Sequence, residues 1–177
     1  MLPPHAMRPL PSPLLLCSLL LPSLGLVACG SGDDSLAASG NVTVEAAGSS
    51  TGFSLPSSTL LIVEGFENPA GEMEGRCEIG AGDLLLSVGR PEGAAGPGIA
   101  LSHFELYVPN EGPAEVQAIL GADTYVASGG PTCSVQTPYV DAARRTARAS
   151  ISCELRGPAA QPATLEADLT FTGCLVH

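Results

Sequence analysis

The sequence predicts an all-β domain, a mostly antiparallel β-sandwich of short strands that is stapled by two disulfides and lies behind a flexible N-terminal tether. Three observations predict this class. Apolar and polar residues alternate with a period of two near the C-terminus, Pro and Gly cluster between short apolar segments, and four cysteines fall after residue 42. No window keeps a helical period for long, and the best helical candidate, GPAEVQAILGA at 112–122, is short.

The two C-terminal segments carry the clearest alternation. Residues 163–173 (ATLEADLTFTG) place Leu165 and Leu169 on one face and acidic and hydroxyl residues on the other. Residues 147–155 (ARASISCEL) alternate in the same way, and a loop containing Gly and Pro joins the two segments. We therefore expect an antiparallel hairpin in which Leu155 matches Leu165.

Shorter strand candidates precede this hairpin. The chain has 177 residues, which is typical of one domain. Because it has no Trp and only 4% aromatic residues, the core must consist mostly of Leu, Val, Ile and Ala. The candidates are Asn41–Ala47, Ser58–Glu64, Gly75–Ile79, Asp83–Val88, His103–Val108, Glu115–Leu120, Thr124–Ala127 and Cys133–Val140.

The N-terminal segment has the pattern of an export signal. Residues 14–28 (LLLCSLLLPSLGLVA) are apolar apart from two serines, and Arg8 supplies a positive charge before them. This apolar stretch is shorter than the roughly 20 residues that a transmembrane helix needs. We therefore predict a signal peptide over residues 1–28.

The end of this signal, Leu26-Val27-Ala28-Cys29, resembles the lipobox of bacterial lipoproteins. The resemblance implies that the Cys29 thiol receives a diacylglyceryl group, that the chain is cut before Cys29 and that the new amine is acylated. The acyl chains would anchor the protein to a membrane. By the same resemblance Gly30, rather than Asp, after the cysteine favours the outer membrane if the organism is Gram-negative.

A tether and a folded domain are expected after Cys29. Residues 29–41 are rich in Gly, Ser and Ala, and such a chain behaves as a flexible coil. The β-sandwich domain is then expected to span residues 42–177. Cell-envelope localisation and contact with the membrane through the lipid anchor follow from this organisation.

The remaining cysteines indicate disulfides. Cys17 leaves with the signal and Cys29 is acylated, which leaves four cysteines, an even number, in an exported chain, and no C-x-x-C motif is present. We predict that Cys133 forms a disulfide with Cys153, which lies near it in the sequence.

The second predicted pair is Cys77 with Cys174. Alternation along the last strand would point Cys174 outward, but a bulge at Gly173 would turn it toward the core. The rival pairing of Cys153 with Cys174 is excluded by the expected hairpin register, which separates the two residues by more than about 20 Å.

The segments GRCEIGAGDLLLSVG and LEADLTFTGC are similar to the small LpqH-like mycobacterial lipoprotein antigens. Those proteins share a lipobox, a polar tether, an early cysteine and a final cysteine at the end of the last alternating strand. This chain departs from them in having Cys133 and Cys153 and a longer segment before Cys77. The resemblance implies a small β-sandwich in the cell envelope and no enzymatic activity.

Charge excludes some classes of partner. The chain has 7 Arg, no Lys and 18 acidic residues, for a net charge of −11. Phosphates of nucleic acid and anionic membrane surfaces would repel it. An envelope polysaccharide or a protein stays open as partner.

Few residues point to chemistry. We assign no catalytic residue, no cofactor and no metal site, because no nucleophile elbow or metal-ligand motif is present. An acidic loop with Glu67, Glu72 and Glu74 is expected to be solvated rather than a cation site. Arg144, Arg145 and Arg148 could contact an anion, or they could pair with the protein's own acids.

The sequence therefore favours a non-enzymatic lipoprotein, a binding or interaction module anchored through acylated Cys29. The alternative is an envelope hydrolase assembled around His103 as the base. These hypotheses differ in whether His103 lies in a deep pocket with an acid and a hydroxyl.

Overall fold

The computed structural model describes residues 35–63, 73–90, 100–128 and 133–177, which belong to one compact unit. Eleven strands and one 3₁₀ turn account for nearly all of it, and no described segment forms an α-helix. No helix among the described residues is long and apolar enough to span a membrane. The elements are β1 (Ala37–Ala46), β2 (Ser49–Ile62), β3 (Met73–Ile79), β4 (Leu84–Gly89), β5 (Leu101–Val108), β6 (Glu115–Leu120), β7 (Asp123–Ser128), β8 (Cys133–Asp141), β9 (Thr146–Arg156), the 3₁₀ turn Pro158–Ala160, β10 (Pro162–Thr172) and β11 (Leu175–Val176).

The strands form one continuous, mostly antiparallel sheet with two groups of long ladders. One group has the order β8-β9-β10-β1-β2 and the other runs β3-β4-β5-β6-β7. Short pairings of β2 with β3 and of β7 with β9 join the groups, and β11 adds a parallel partner to β3. Buried side chains from both groups form a single core. The predicted all-β, mostly antiparallel fold is confirmed.

The core is largely aliphatic, as predicted. Its largest fully buried side chains are mostly leucines and valines, joined by Phe104 and Phe171. In β10 every second residue from Ala163 to Phe171 is buried, and the positions between them are exposed or half-buried. Period-two alternation therefore marks the buried face correctly, because successive side chains of a strand point to opposite sides.

The β9–β10 hairpin forms as predicted but in another register. Leu155 lies opposite Ala163, and Cys153 lies opposite Leu165, so the expected match of Leu155 with Leu165 is wrong by two residues. The tight turn sets the register, because the amide of Gly157 donates to the carbonyl of Gln161 at 2.8 Å. Matching the two leucines would have required a longer loop.

The strand candidate Glu115–Leu120 is confirmed as β6, in which Val116, Ala118 and Leu120 are buried at every second position, so the overlapping helical candidate at 112–122 is not a helix. One further expectation needs correction. The folded domain does not begin at residue 42, because β1 begins at Ala37 within the segment predicted as tether. Leu36 is already buried, and its carbonyl accepts a hydrogen bond of 2.9 Å from the amide of Leu61.

Candidate functional site

The long sheet ladders define two ends of the domain, which we call the Ser35 end and the Pro162 end. In the row at the Ser35 end, Thr172 of β10 lies beside Ala37 of β1, and Ala37 lies beside Leu60 of β2. In the row at the other end, Pro162 lies beside Arg156, which in turn pairs with Val126 of β7. The eleven residues of β10 run from one row to the other, a distance of about 34 Å at the usual rise of a strand.

Cys29 and the rest of the predicted signal and tether up to residue 34 lie outside the described residues. The first described residue, Ser35, contacts the bend at Gly173, where an added Cβ would overlap the Ser35 carbonyl oxygen. The described structure starts six positions after the predicted lipid attachment site, within the segment predicted as tether.

Both predicted disulfides are confirmed. Cys133 and Cys153 lie directly opposite each other on β8 and β9, with Cα atoms 4.1 Å apart. Cys77 of β3 is linked to Cys174, with Cα atoms 4.7 Å apart across a sequence separation of 97 residues.

The prediction that Gly173 turns Cys174 toward the core is right in its result but not in its form. β10 ends at Thr172, and Gly173 has a φ of +82°, so it forms a bend after the strand rather than a bulge within it. Cys174 is completely buried, and β11 then runs parallel to β3. A positive φ favours glycine, since other residues pay a steric cost there.

The three arginines proposed as anion contacts all bind groups within the domain. Arg148 Nη2 lies 3.2 Å from Asp168 Oδ2, and Arg144 Nη1 lies 3.4 Å from Asp141 Oδ2. Arg145 donates to the carbonyl oxygens of Cys174 at 2.7 Å and Gly173 at 3.1 Å. For Arg148 and Arg144 these contacts correspond to the second possibility weighed above, pairing with the protein's own acids, whereas the Arg145 contacts are to backbone carbonyl groups.

His103 lies on an open strand surface. Its Nε2 is 3.9 Å from Glu105 Oε2, and its ring covers Gly89 on the neighbouring strand β4. The adjacent hydroxyl of Ser102 donates to the carbonyl of Ile119. The hydrolase alternative requires a hydroxyl and an acid around the imidazole.

The acidic loop is only partly described. Glu67 and Glu72 lie outside the described residues, and Glu74 is exposed on β3. Within the described ranges no group of three His, Cys, Asp or Glu side chains could hold a metal ion.

A shallow groove of about 370 Å³ lies on the outer face of β8, β9, β10 and β1. One row across it consists of Gln136, Ser150, Asp168 and Asn41, which are consecutive partners in the ladders. These side chains present amide, hydroxyl and carboxylate groups to solvent. They can donate and accept hydrogen bonds, which suits a polar ligand.

A larger groove of about 780 Å³ lies at the Pro162 end. Glu45, Glu154, Arg156 and Gln161 line it, together with the β1–β2 turn at Gly48. Sequence reasoning did not find this groove. Its charged side chains come from separate strands and a turn, so no local pattern in the sequence groups them.

Comparison of the chain with protein-family models, with curated proteins and with solved structures gives no match.

Proposed function

We propose that this chain is a cell-envelope lipoprotein, a non-enzymatic binding or interaction module anchored to a membrane through acylated Cys29. The observation that carries the proposal is the Leu26–Cys29 lipobox after an apolar segment of signal length. Acyl chains bury methylene groups at about 0.8 kcal/mol each, so more than one chain gives a durable anchor. The outer membrane is the expected destination in a Gram-negative cell.

Two structural observations support this proposal. Two disulfides join strands of the domain, and disulfides persist in oxidising compartments outside the cytoplasm. The first described residue, Ser35, also lies only six positions after Cys29, so the folded domain is close in sequence to the predicted lipid attachment site. The two grooves are the candidate surfaces for a partner, which we expect to be an envelope polysaccharide or a protein.

The test is to express the full chain in a bacterium that processes lipoproteins and to compare Cys29→Ala with the unchanged protein. The unchanged chain should appear in the membrane fraction, cut before Cys29 and with acyl mass. Cys29→Ala should remain uncut and carry no acyl mass, because diacylglyceryl transfer needs the thiol.

Cys17→Ala is the matched control, since it removes a cysteine from the same segment without touching the box. It should be cut and acylated like the unchanged chain. If Cys29→Ala yields a normally cut, soluble product, the lipoprotein proposal is wrong and residues 1–28 form an ordinary secretory signal.

A further inference from the structure

Exposed apolar side chains are concentrated at one end of the domain. In the described part of the chain, six large hydrophobic residues are exposed. Val126 lies at the Pro162 end, where it pairs with Arg156. The other five lie at the Ser35 end, and they are Leu60, Tyr139, Val140, Leu175 and Val176.

The strand registers place three of these residues at the Ser35 end. Leu60 lies directly opposite Ala37, two positions after Ser35. Val140 lies opposite Ala147 in the row that also contains Phe171 and Ala38. Tyr139 lies in the next row toward the Pro162 end, opposite Arg148.

Tyr139 reaches the outer face through an irregularity in β8. The register shifts between Gln136 and Tyr139, so Tyr139 pairs with Arg148, whose side chain points outward. A bulge of this kind re-aims the side chains that follow it. The tyrosine is 56% exposed although it lies within a strand.

Leu175 and Val176 complete the surface. They follow Cys174, and the preceding Gly173 contacts Ser35. β11 carries them along β3, where Leu175 is 39% exposed. We call Leu60, Tyr139, Val140, Leu175 and Val176 the apolar rim.

The charged groups near the apolar rim fit a lipid surface. Arg144 is 80% exposed in the turn between β8 and β9. Two nearby carboxylates are paired with arginines, Asp141 with Arg144 and Glu78 with Arg76. Aliphatic groups beside a tyrosine and an exposed arginine are typical of surfaces that enter the boundary between lipid headgroups and acyl chains.

The length of the tether limits how far this end can be from the lipid. Cys29 precedes Ser35 by six positions, and six residues span at most about 20 Å. The Pro162 end lies about 34 Å further along β10. A domain anchored through Cys29 therefore has its apolar rim within reach of the bilayer.

We propose that the Ser35 end rests on the membrane, with the apolar rim in the lipid interface and the Pro162 end facing away. This inference depends on the proposed acylation of Cys29. In this arrangement the domain contacts the membrane non-covalently in addition to its lipid anchor, and this second contact orients the domain. The larger groove, at the Pro162 end, then opens toward the aqueous phase.

The absence of Trp from the chain allows a direct test with single-Trp variants. Leu175→Trp and Tyr139→Trp place the probe on the apolar rim, and Val126→Trp is the matched control because it is 42% exposed at the other end. The full acylated chain is reconstituted into zwitterionic phosphatidylcholine vesicles with ordinary or brominated acyl chains. Circular dichroism verifies that each variant is folded.

We expect brominated lipid to quench Leu175→Trp and Tyr139→Trp and the emission of both to shift to shorter wavelength on reconstitution. Val126→Trp should show neither change. Flotation with the vesicles and an acyl mass show separately that the anchor is present.

Three outcomes would overturn the proposal. If the acylated chain floats but the rim probes are not quenched, the anchor holds and the orientation is wrong. A shift to shorter wavelength without quenching would show that a second copy or another protein covers the rim. If the chain carries no acyl mass, both the proposed function and this inference are wrong.

Discussion

The two ends of the domain are held by different kinds of interaction. At the Ser35 end, a disulfide links residues 97 positions apart, Arg145 binds two carbonyl groups of the bend after β10, and Leu36 is hydrogen-bonded to Leu61. At the Pro162 end, the chain reverses through local turns at Ala47–Gly48 and Pro158–Ala160. A covalent long-range link thus fastens the Ser35 end, whereas the Pro162 end, which has local turns and the single β7–β9 pairing of Val126 with Arg156, contains the larger groove.

Removing each disulfide in turn should have the largest effect. Cys77→Ala with Cys174→Ala frees a loop of 97 residues, and Cys133→Ala with Cys153→Ala frees one of 20. The chain-entropy model gives losses of unfolding free energy of about 4.7 and about 3 kcal/mol, respectively. Denaturant titration of both double variants measures the difference, and each serves as the control for the other.

Equal losses in the two variants would contradict the chain-entropy account. They would mean that strand packing at the Ser35 end survives without its covalent link. The two disulfides would then differ in the length of the loop that they close but not in their contribution to the free energy of unfolding.

Two glycines with similar φ angles, one at each end, allow a second comparison of the two ends. Gly173 has a φ of +82° at the Ser35 end, and Gly48 has a φ of +78° in the β1–β2 turn. An added Cβ would overlap the Ser35 carbonyl at Gly173 and would meet nothing within 4 Å at Gly48.

Both substitutions to Ala should therefore cost about 1–2 kcal/mol for the positive φ, and Gly173→Ala should cost about 1–3 kcal/mol more for the overlap. Thermal unfolding of the two variants gives the difference. If Gly48→Ala is as destabilising as Gly173→Ala, the contact between Ser35 and the bend contributes little.

Much of the fold follows from alternation in the sequence. The period of two in β9 and β10 identifies the buried faces, and it places Cys153 inward and in reach of Cys133. The hairpin register excludes a disulfide between Cys153 and Cys174. Cys153 lies opposite Leu165, nine positions from Cys174, and the register expected from the sequence also kept the two cysteines far apart. Local patterns suffice here because the side of the sheet to which a side chain points depends on its position along its own strand.

Other features depend on partners that are distant in sequence. Leu36 is buried by contacts near Leu61 and Gly173, so the composition of the tether alone could not show that the domain begins before residue 42. The first half of β2 is rich in Ser, Thr and Gly and gave no strand signal, yet it pairs with β1 along its length.

The apolar rim was missed for the same reason. Leu60, the pair Tyr139 and Val140, and the pair Leu175 and Val176 come from three separate segments. The only local sign was an apolar pair after the last cysteine, and a single exposed apolar pair is common at protein surfaces.

The smallest expected effect distinguishes two neighbouring arginines at the Ser35 end. Arg145 is half-buried and donates to the carbonyl oxygens of Cys174 and Gly173, and the amide of Cys174 returns a hydrogen bond to the Arg145 carbonyl at 3.0 Å. Arg144 is highly exposed and pairs with Asp141 three positions earlier. Hydrogen bonds to charged groups contribute about 1.5–3 kcal/mol, whereas exposed ion pairs contribute about 0–1 kcal/mol.

Arg145→Ala should thus lower the unfolding free energy by about 2 kcal/mol, and Arg144→Ala by less than about 1 kcal/mol. Salt adds a second measurement, because screening weakens an exposed pair more than a partly buried one. Denaturant titrations at low and high salt should leave the Arg145→Ala loss nearly unchanged. If the two variants lose the same stability and respond alike to salt, Arg145 does not hold the bend, and the Cys77–Cys174 disulfide alone fastens the end of β10.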